Sequence, residues 1–186
     1  MLFLATKLQG AYLIELEKLV DERGFFARSW CQREFAAHNL DTQLVQCNIS
    51  LTHQRGTLRG MHYQLPPWCE TKLVRCIRGA IYDVIIDLRP NSATFLQWTG
   101  AELTADNRTM FYVPKGFAHG FITLTDNTEL FYQMSTFYAP SHARGVRWND
   151  PLFAVDWPLP VTHISSKDQE AADAAPAMFQ ALAGVL

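Results

Sequence analysis

The sequence has no large excess of charge of either sign. Its 16 lysine and arginine residues are nearly matched by 18 aspartate and glutamate residues, which leaves a formal net charge of −2 at pH 7. Domains that bind nucleic acid usually carry a basic surface, and acidic disordered tails carry runs of like charge. We therefore expect no nucleic-acid partner, and an anionic ligand would have to be held by a local group of arginine and lysine side chains.

Cysteine is scarce, and long apolar runs are missing. The four cysteines include no CxxC pair, and Cys69 and Cys76 are seven residues apart, a spacing that matches no zinc knuckle. The short apolar start of the chain is broken by Lys7 and Gln9, and no run is long enough to span a bilayer. We expect a cytoplasmic protein with reduced thiols and no membrane partner.

What the sequence does contain is a series of short β-forming runs separated by Gly, Pro, Asn and Asp. In the clearest run, Ala80–Leu88, Asp83 and Asp87 alternate with apolar residues across the two faces of a strand. Its end at Arg89-Pro90-Asn91-Ser92 is a turn signal. Further runs are predicted at 58–64, 72–77, 96–103, 110–113, 120–124 and 130–138.

Helical periodicity is confined to residues 31–39 and to the Ala-rich tail after Ser166, where Pro176 interrupts it. No internal repeat or linker divides the chain. We predict a single domain over residues 1–186, with a helical tail from about residue 167. Many short strands with few helices are typical of an antiparallel sandwich or barrel, so the predicted fold class is all-β with short peripheral helices.

The segment Leu58-Arg59-Gly60-Met61-His62-Tyr63-Gln64 combines a histidine with an arginine three residues earlier. In a regular strand these two side chains point to opposite faces. Gly60, between them, permits a β-bulge that would bring them together. Two interpretations stay open from the strand pattern alone, a hydrogen-bonded core histidine and a base beside an anion-binding cation.

The segment Pro114–Phe121 contains P-x-G-x-x-H and resembles the second sequence motif of the cupin family, whose members are double-stranded β-helix jelly rolls. Metal-binding cupins carry H-x-H in their first motif, but here the corresponding segment is His62-Tyr63-Gln64. One histidine from each motif, His62 and His119, is fewer than the three protein ligands usual in a catalytic metal site. We therefore predict no metal, and a metal-dependent oxygenase or isomerase is disfavoured.

Four further residues have a binding interpretation beside a structural one. Tyr132 and Tyr138 would share a strand face at a separation of roughly 20 Å, suited to the two ends of a nucleoside diphosphate sugar or to ordinary aromatic packing. Arg23 lies in a charged turn, where its guanidinium would be either solvated or a phosphate ligand. Lys72 begins an apolar strand, so its ammonium either reaches solvent or faces a cavity.

Together these stretches resemble the dTDP-4-dehydrorhamnose 3,5-epimerase family, in order and with matching spacing over nearly the whole chain. Each motif alone is weak evidence, but the collinear set is specific. The motifs are DERGFF (21–26), Gln46 and Asn48 with Ser50, LRGMHYQ (58–64), KLVRC (72–76), DVIIDLRPNSATF (83–95), VPKGFAHGF (113–121), Tyr132, Tyr138, WNDP (148–151), DWP (156–158) and SSKD (165–168).

The resemblance implies a cupin jelly roll, a homodimer, a sugar-nucleotide substrate, and neither a metal nor a redox cofactor. By position, His62 corresponds to the general base and Asp168 to its hydrogen-bonded partner. Tyr132 corresponds to the acid that returns a proton from the opposite face, and Lys72 to the residue near the 4-keto oxygen. This set suits epimerisation beside a ketone, which needs a base, an oxyanion stabiliser and a proton donor.

The resemblance also implies a set of substrate-binding residues. Arg23 and Arg59 correspond to pyrophosphate contacts, and Tyr138 to the residue that stacks on the nucleobase. His119 and Lys167 correspond to further ligand contacts. The predicted substrate-binding set is completed by Arg28, Gln46 and Asn48.

Several positions near the expected ligand depart from the family pattern. Arg28 replaces the usual Glu, Cys47 a common Asp, Glu70 the usual Gln, and Ala143–Arg144 a region that usually holds Glu. These changes leave open a related 4-keto sugar, another nucleotide, or epimerisation at only one carbon. Two other functions also stay open, a non-catalytic sugar-nucleotide-binding cupin and a 3,4-ketoisomerase on the same fold.

Overall fold

The computed structural model describes residues 1–185, and within that range the strands form two large sheets and one hairpin. The first sheet contains β1 Leu2–Ala5, β2 Tyr12–Glu15, β5 Gln46–Thr52, β7 Lys72–Arg78, β10 Met110–Val113 and β12 Thr128–Met134. Its spatial order is β1-β2-β10-β7-β12-β5, with antiparallel pairing throughout, so β5 is an edge strand.

The second sheet contains β6 Thr57–Gln64, β8 Ala80–Asp87, β9 Trp98–Thr104, β11 Phe117–Thr123, β13 Ala143–Gly145 and β14 His163–Ile164. Its order is β13-β6-β11-β8-β9, and β14 pairs with β6 in parallel. The separate hairpin is formed by β3 Leu19–Asp21 and β4 Gly24–Phe26.

The two large sheets face each other across an apolar core. Val74, Phe111 and Leu130 from the first sheet pack with Ile81 and Ile85 from the second, and all are almost fully buried. Because side chains alternate along a strand, alternate residues of the central strands β7, β8, β10 and β12 contribute to this core. The arrangement confirms the predicted all-β jelly roll.

Strand β8 is buried on both faces. Ile81 and Ile85 point into the core between the sheets, while Val84 and Ile86 belong to a second apolar cluster on the outer side of the sheet. That outer cluster is covered by Phe179, which is fully buried and comes from the C-terminal tail. The tail therefore completes the packing of the second sheet.

The helices are short and peripheral, as predicted. They are α1 Gln32–Ala37, α2 Ser166–Gln169 and a 3₁₀ helix over Pro176–Leu182. Pro176 stands in the first turn of the 3₁₀ helix, where its missing N–H costs no hydrogen bond. The final residue of the predicted tail, Leu186, lies outside the described residues.

Most of the predicted strands are confirmed within a few residues at each end. The strand predicted over residues 130–138 is shorter than expected. It ends at Met134 as β12, and Tyr138 lies in the loop that follows. The five strands before residue 57 were not predicted individually. Over residues 1–185, no helix is both long and apolar enough to cross a membrane. The cysteines of this range are free thiols, and the cytoplasmic location stays a prediction.

Candidate active site

Two adjoining cavities open among the strands and share four side chains, His62, Lys72, Tyr132 and Lys167. The Arg59 cavity, of about 480 Å³, is further lined by Ser50, Thr57, Arg59, His119, His163 and Asp168, among others. The Tyr138 cavity, of about 390 Å³, is further lined by Gln46, Asn48, Glu70, Tyr138, Ala143 and Arg144, among others. Nearly all the predicted site residues therefore meet in one continuous region.

A β-bulge in β6 brings Arg59 and His62 to the same cavity. His62 lies opposite His119 and Arg59 lies opposite Phe121, so three steps along β6 correspond to two along β11. Gly60 occupies this bulge with φ of +141°, and a Cβ there would lie 2.5 Å from the Cα of Gly120. Only glycine meets both requirements without strain, and the bulge predicted from the sequence is confirmed.

The bulge also helps to orient the candidate dyad. The freed Gly60 N–H donates to Asp168 Oδ2 at 3.2 Å, while Asp168 Oδ1 lies 2.6 Å from His62 Nε2. Ser165 caps α2 by accepting from the Asp168 N–H, which holds the start of that helix against β6. The carboxylate is thus held by the Gly60 N–H and the His62 ring, both from β6, before any ligand binds.

The electrostatics of this dyad favour an ionised aspartate. Burial alone would raise the pKa of Asp168, but the hydrogen bonds from His62, Gly60 and Ser165 outweigh it and hold the pKa below its ordinary value of 3.8. An ionised carboxylate can only accept, so His62 donates from Nε2 and keeps Nδ1 as its basic nitrogen. The His62 side chain is 43% exposed against 8% for Asp168, so the imidazole is the member open to a ligand.

Tyr132 lies on β12 of the first sheet, and His62 lies on β6 of the facing sheet. Burial raises the pKa of the Tyr132 phenol, and the nearby Arg59 only partly opposes this. The phenol is therefore protonated at neutral pH and able to donate. A ligand held between the sheets would have a base on one side and an acid on the other.

Lys72 faces the cavities. The sequence left open whether its ammonium reaches solvent or faces a cavity, and the structure shows the second. Its side chain is 11% exposed, and its Nζ lies 3.1 Å from Glu70 Oε1. Glu70 is one of the departures from the family pattern. The structure therefore pairs Glu70, which differs from the family pattern, directly with Lys72, which is a predicted catalytic residue.

His119 belongs to a second histidine–aspartate pair. Its Nε2 lies 2.7 Å from Oδ1 of Asp83, which is fully buried. Asp83 was not among the predicted site residues, although its position in the sequence marks it. Asp83 shares a strand face with Ile81 and Ile85, and an aspartate between two buried isoleucines requires a polar partner.

The predicted contacts at the Tyr138 cavity are linked to each other. Gln46 donates from Nε2 to Asn48 Oδ1 at 3.2 Å and accepts from the Tyr138 N–H at 3.2 Å. The expectation that Tyr132 and Tyr138 share one strand face is wrong, because β12 ends before Tyr138. The loop folds back instead, and both tyrosines line this one cavity.

The residues that differ from the family pattern lie in different parts of the structure. Ala143 and Arg144 line the Tyr138 cavity. Cys47 alternates with Gln46 and Asn48 along β5 and therefore points to the opposite, exposed face of the sheet. Its substitution does not alter the lining of either cavity.

Arg23 and Arg28 are not brought to the cavities within one chain. Arg23 lies in the exposed β3–β4 turn and pairs with Asp21 at 2.5 Å. Arg28 pairs with Glu34 at 2.6 Å, so its charge is already matched. Their predicted contact with substrate stays a prediction.

Among residues 1–185, no three His, Cys, Asp or Glu side chains are grouped so that they would hold a metal ion. Of the histidines that line the cavities, His62 and His119 each have an aspartate within hydrogen-bonding distance.

Comparison with known proteins agrees with this geometry. The family model described as dTDP-4-dehydrorhamnose 3,5-epimerase matches residues 5–175. The enzyme of that name from Methanothermobacter thermautotrophicus is 43% identical, over 90% of this chain and 91% of its own length. The crystal structure of the Elizabethkingia anophelis enzyme superposes with a TM-score of 0.90 at 39% identity, covering 92% of this chain and 94% of that one.

A second similar structure carries a narrower activity in its name. It is a 3'-monoepimerase from Streptomyces bikiniensis in complex with dTDP-quinovose. Its TM-score is 0.86 at 32% identity, covering 96% of this chain and 91% of that one.

Proposed function

Because the chain belongs to the dTDP-4-dehydrorhamnose 3,5-epimerase family, we propose that it inverts C3, C5 or both in a nucleoside-diphosphate 4-keto-6-deoxyhexose. The observation that carries this proposal is the placement of the His62–Asp168 dyad and of Tyr132 on facing sheets around shared cavities. Inversion requires proton removal on one face of a carbon and proton return on the other.

In the proposed reaction, the basic nitrogen of His62 removes the proton from the carbon beside the 4-keto group. The bonding electrons move onto the keto oxygen, and the Lys72 ammonium stabilises the resulting enolate. Asp168 stabilises the imidazolium that forms and keeps the ring in its productive tautomer. Tyr132 then delivers a proton to the opposite face. These groups supply every step, so the proposed reaction requires no metal and no redox cofactor.

The remaining cavity residues suit a nucleoside diphosphate sugar, whose pyrophosphate carries two negative charges. Arg59 and Lys167 bring cationic side chains to the cavity walls, and we assign the pyrophosphate to them together with His119. Tyr138, half exposed at 52%, offers an aromatic face to the nucleobase. Gln46 and Asn48 offer amide groups beside it.

We also propose that the protein is a homodimer. The β3–β4 hairpin exposes a group of large apolar side chains, Leu19 at 70%, Val20 at 76% and Phe26 at 74%. A patch of this kind on a hairpin is typical of a protein–protein contact. A second copy would cover it, and the contact would carry Arg23 of one subunit onto the surface of the other.

The direct test is solvent exchange. The protein is incubated with dTDP-4-keto-6-deoxyglucose in deuterated water, and the sugar protons at C3 and C5 are followed by NMR. We expect deuterium at one or both positions with wild-type protein and none with His62→Ala. Exchange at C3 alone would make it a 3-monoepimerase, and a 3-keto product would make it a ketoisomerase. Tight binding without exchange would contradict the proposal and favour a non-catalytic sugar-nucleotide-binding protein.

A further inference from the structure

Glu70 is a buried carboxylate with one oxygen already used. Its side chain is 5% exposed, and its Oε1 lies 3.1 Å from the Lys72 Nζ. Its Oε2 is buried and has no hydrogen-bond partner within residues 1–185. Glu70 precedes Lys72 by two positions in extended chain, so both side chains point to the same side and line the Tyr138 cavity.

A buried carboxylate oxygen without a donor is unfavourable, and such groups in native structures usually meet a ligand or an ordered water. A carboxylate can only accept, so the missing partner must carry an O–H or N–H group. The charge of Glu70 is already matched by Lys72, so a cationic ligand is not required. A neutral donor, such as a sugar hydroxyl, satisfies both the hydrogen bond and the charge balance.

We propose that Glu70 and Lys72 together recognise an α-hydroxyketone, with Glu70 as a specificity-determining residue for the C3 hydroxyl of the substrate. This inference rests on the proposed function, which places the 4-keto oxygen at Lys72. Standard bond lengths put that oxygen and the neighbouring C3 hydroxyl about 3 Å apart. Glu70 and Lys72 are adjacent in the lining of one cavity, so the ammonium can donate to the ketone while the hydroxyl donates to the free Oε2 of Glu70.

The consequence is a preference for substrates that carry a C3 hydroxyl. A glutamine at position 70 would show this preference more weakly. Hydrogen bonds to an ionised acceptor are about twice as strong as those between neutral groups. Glu70→Gln keeps the size of the side chain and one acceptor oxygen but removes the charge. The variant should therefore lose discrimination between a C3 hydroxyl and a C3 hydrogen while keeping the fold.

The test compares wild-type and Glu70→Gln protein on two substrates, dTDP-4-keto-6-deoxyglucose and its 3-deoxy counterpart. Deuterium exchange at C5 is measured, because both substrates carry that proton. We expect wild-type kcat/KM to favour the 3-hydroxy substrate by about tenfold, and this ratio to fall about fivefold in Glu70→Gln. Glu129→Gln is the matched control, since it removes an ion-paired carboxylate from the same sheet at a position that lines neither cavity.

Each other outcome has a definite meaning. An equal loss of kcat/KM on both substrates would overturn the inference, because Glu70 would then act only by holding Lys72 in place. A wild-type enzyme that does not distinguish the two substrates would also overturn it. Failure of wild-type protein to exchange either C3 or C5 of dTDP-4-keto-6-deoxyglucose would instead remove the proposed function and the inference with it. If wild-type protein exchanges only C3, the same comparison is made at C3, where the 3-deoxy counterpart also carries protons beside the ketone. Thermal melting of Glu70→Gln, unchanged from wild type, separates these results from loss of the fold.

Discussion

At the scale of single residues, the chemistry of this protein depends on pairs more than on isolated groups. His62 is paired with Asp168, His119 with Asp83, and Lys72 with Glu70. In each pair at least one member is buried, so its charge interacts strongly with its partner and weakly with water. The pairs fix ring orientation and charge before a ligand arrives, which is the preorganisation that catalysis requires.

Asp168→Asn should lower the rate of C–H exchange by about a hundredfold or more, because the amide can donate to His62 and stabilise the wrong tautomer. Exchange into substrate, followed by NMR, measures the effect. Ser165→Ala removes the cap of α2 and a hydrogen bond to Asp168 but leaves the Asp168 carboxylate in place, so it serves as the control, with an expected loss of no more than about tenfold. Equal rates for Asp168→Asn and wild type would show that His62 does not depend on this partner.

Asp168 should also contribute stability that depends on pH. Its pKa is lowered on folding from 3.8, so its contribution is complete above that pH and is lost as the pH falls through the lower folded-state value. We expect the difference in unfolding free energy between wild type and Asp168→Asn to shrink as the pH falls below about 4. Urea denaturation across this range measures it. A difference that grows on acidification would contradict the assigned direction.

At the scale of elements, the bulge in β6 decides which residues reach the cavities. A regular strand would place Arg59 and His62 on opposite faces, and Asp168 would lose the Gly60 N–H. The bulge depends on close approach of β6 and β11 at Gly60 and Gly120. One glycine therefore sets both the backbone path and the composition of the site.

Gly60→Ala should destabilise the fold by about 2–4 kcal/mol, since it combines an unfavourable positive φ with a backbone clash. Urea denaturation gives the free energy of unfolding, and exchange activity should fall with it because Arg59 and His62 shift. The matched control is Gly184→Ala, at a position where an added Cβ meets no atom within 4 Å. A Gly60→Ala protein as stable as this control would show that the bulge tolerates a side chain.

At the scale of the whole molecule, the two adjoining cavities have room for one extended ligand. The exposed β3–β4 hairpin offers the proposed contact for a second copy of the chain. Phe26→Glu should weaken self-association, because a charge would replace an apolar side chain in the proposed contact. Light scattering after size exclusion should give twice the chain mass for wild type and a mass near 21.2 kDa for the variant. Met178→Glu, at an exposed apolar position outside the hairpin, is the control. A monomeric wild-type protein would exclude the homodimer.

Much of this arrangement could be predicted from the sequence. Alternating runs and turn residues predicted the central strands, because burial of one face imposes a period of two. The bulge at Gly60 was also indicated, since glycine permits backbone angles that other residues avoid. Pro176, which was expected to interrupt the helical tail, instead begins the 3₁₀ helix. The resemblance of the motifs then indicated the family, which the comparisons confirm.

Local patterns were less informative for Tyr138 and Asp83. The run from 130 to 138 is uniformly β-forming, and nothing in its composition marks Met134 as the end of β12. Asp83 shares its strand face with Ile81 and Ile85, which indicates a buried carboxylate, but its partner His119 lies 36 positions away and is not marked by any local pattern. Burial on two faces depends on distant segments, such as the tail that carries Phe179.

The sequence by itself determined the strands, the turns, the bulge and the chemical types of the site residues, because these depend on propensities and spacings along the chain. Only the tertiary structure decided which of those residues meet. His62 and Asp168, which form a hydrogen-bonded pair, are 106 positions apart in the sequence. Glu70 Oε2 has no hydrogen-bond partner within residues 1–185, and only the packing around it shows this. Neither is encoded in a local pattern, because both arise when separate strands and the tail pack around one core.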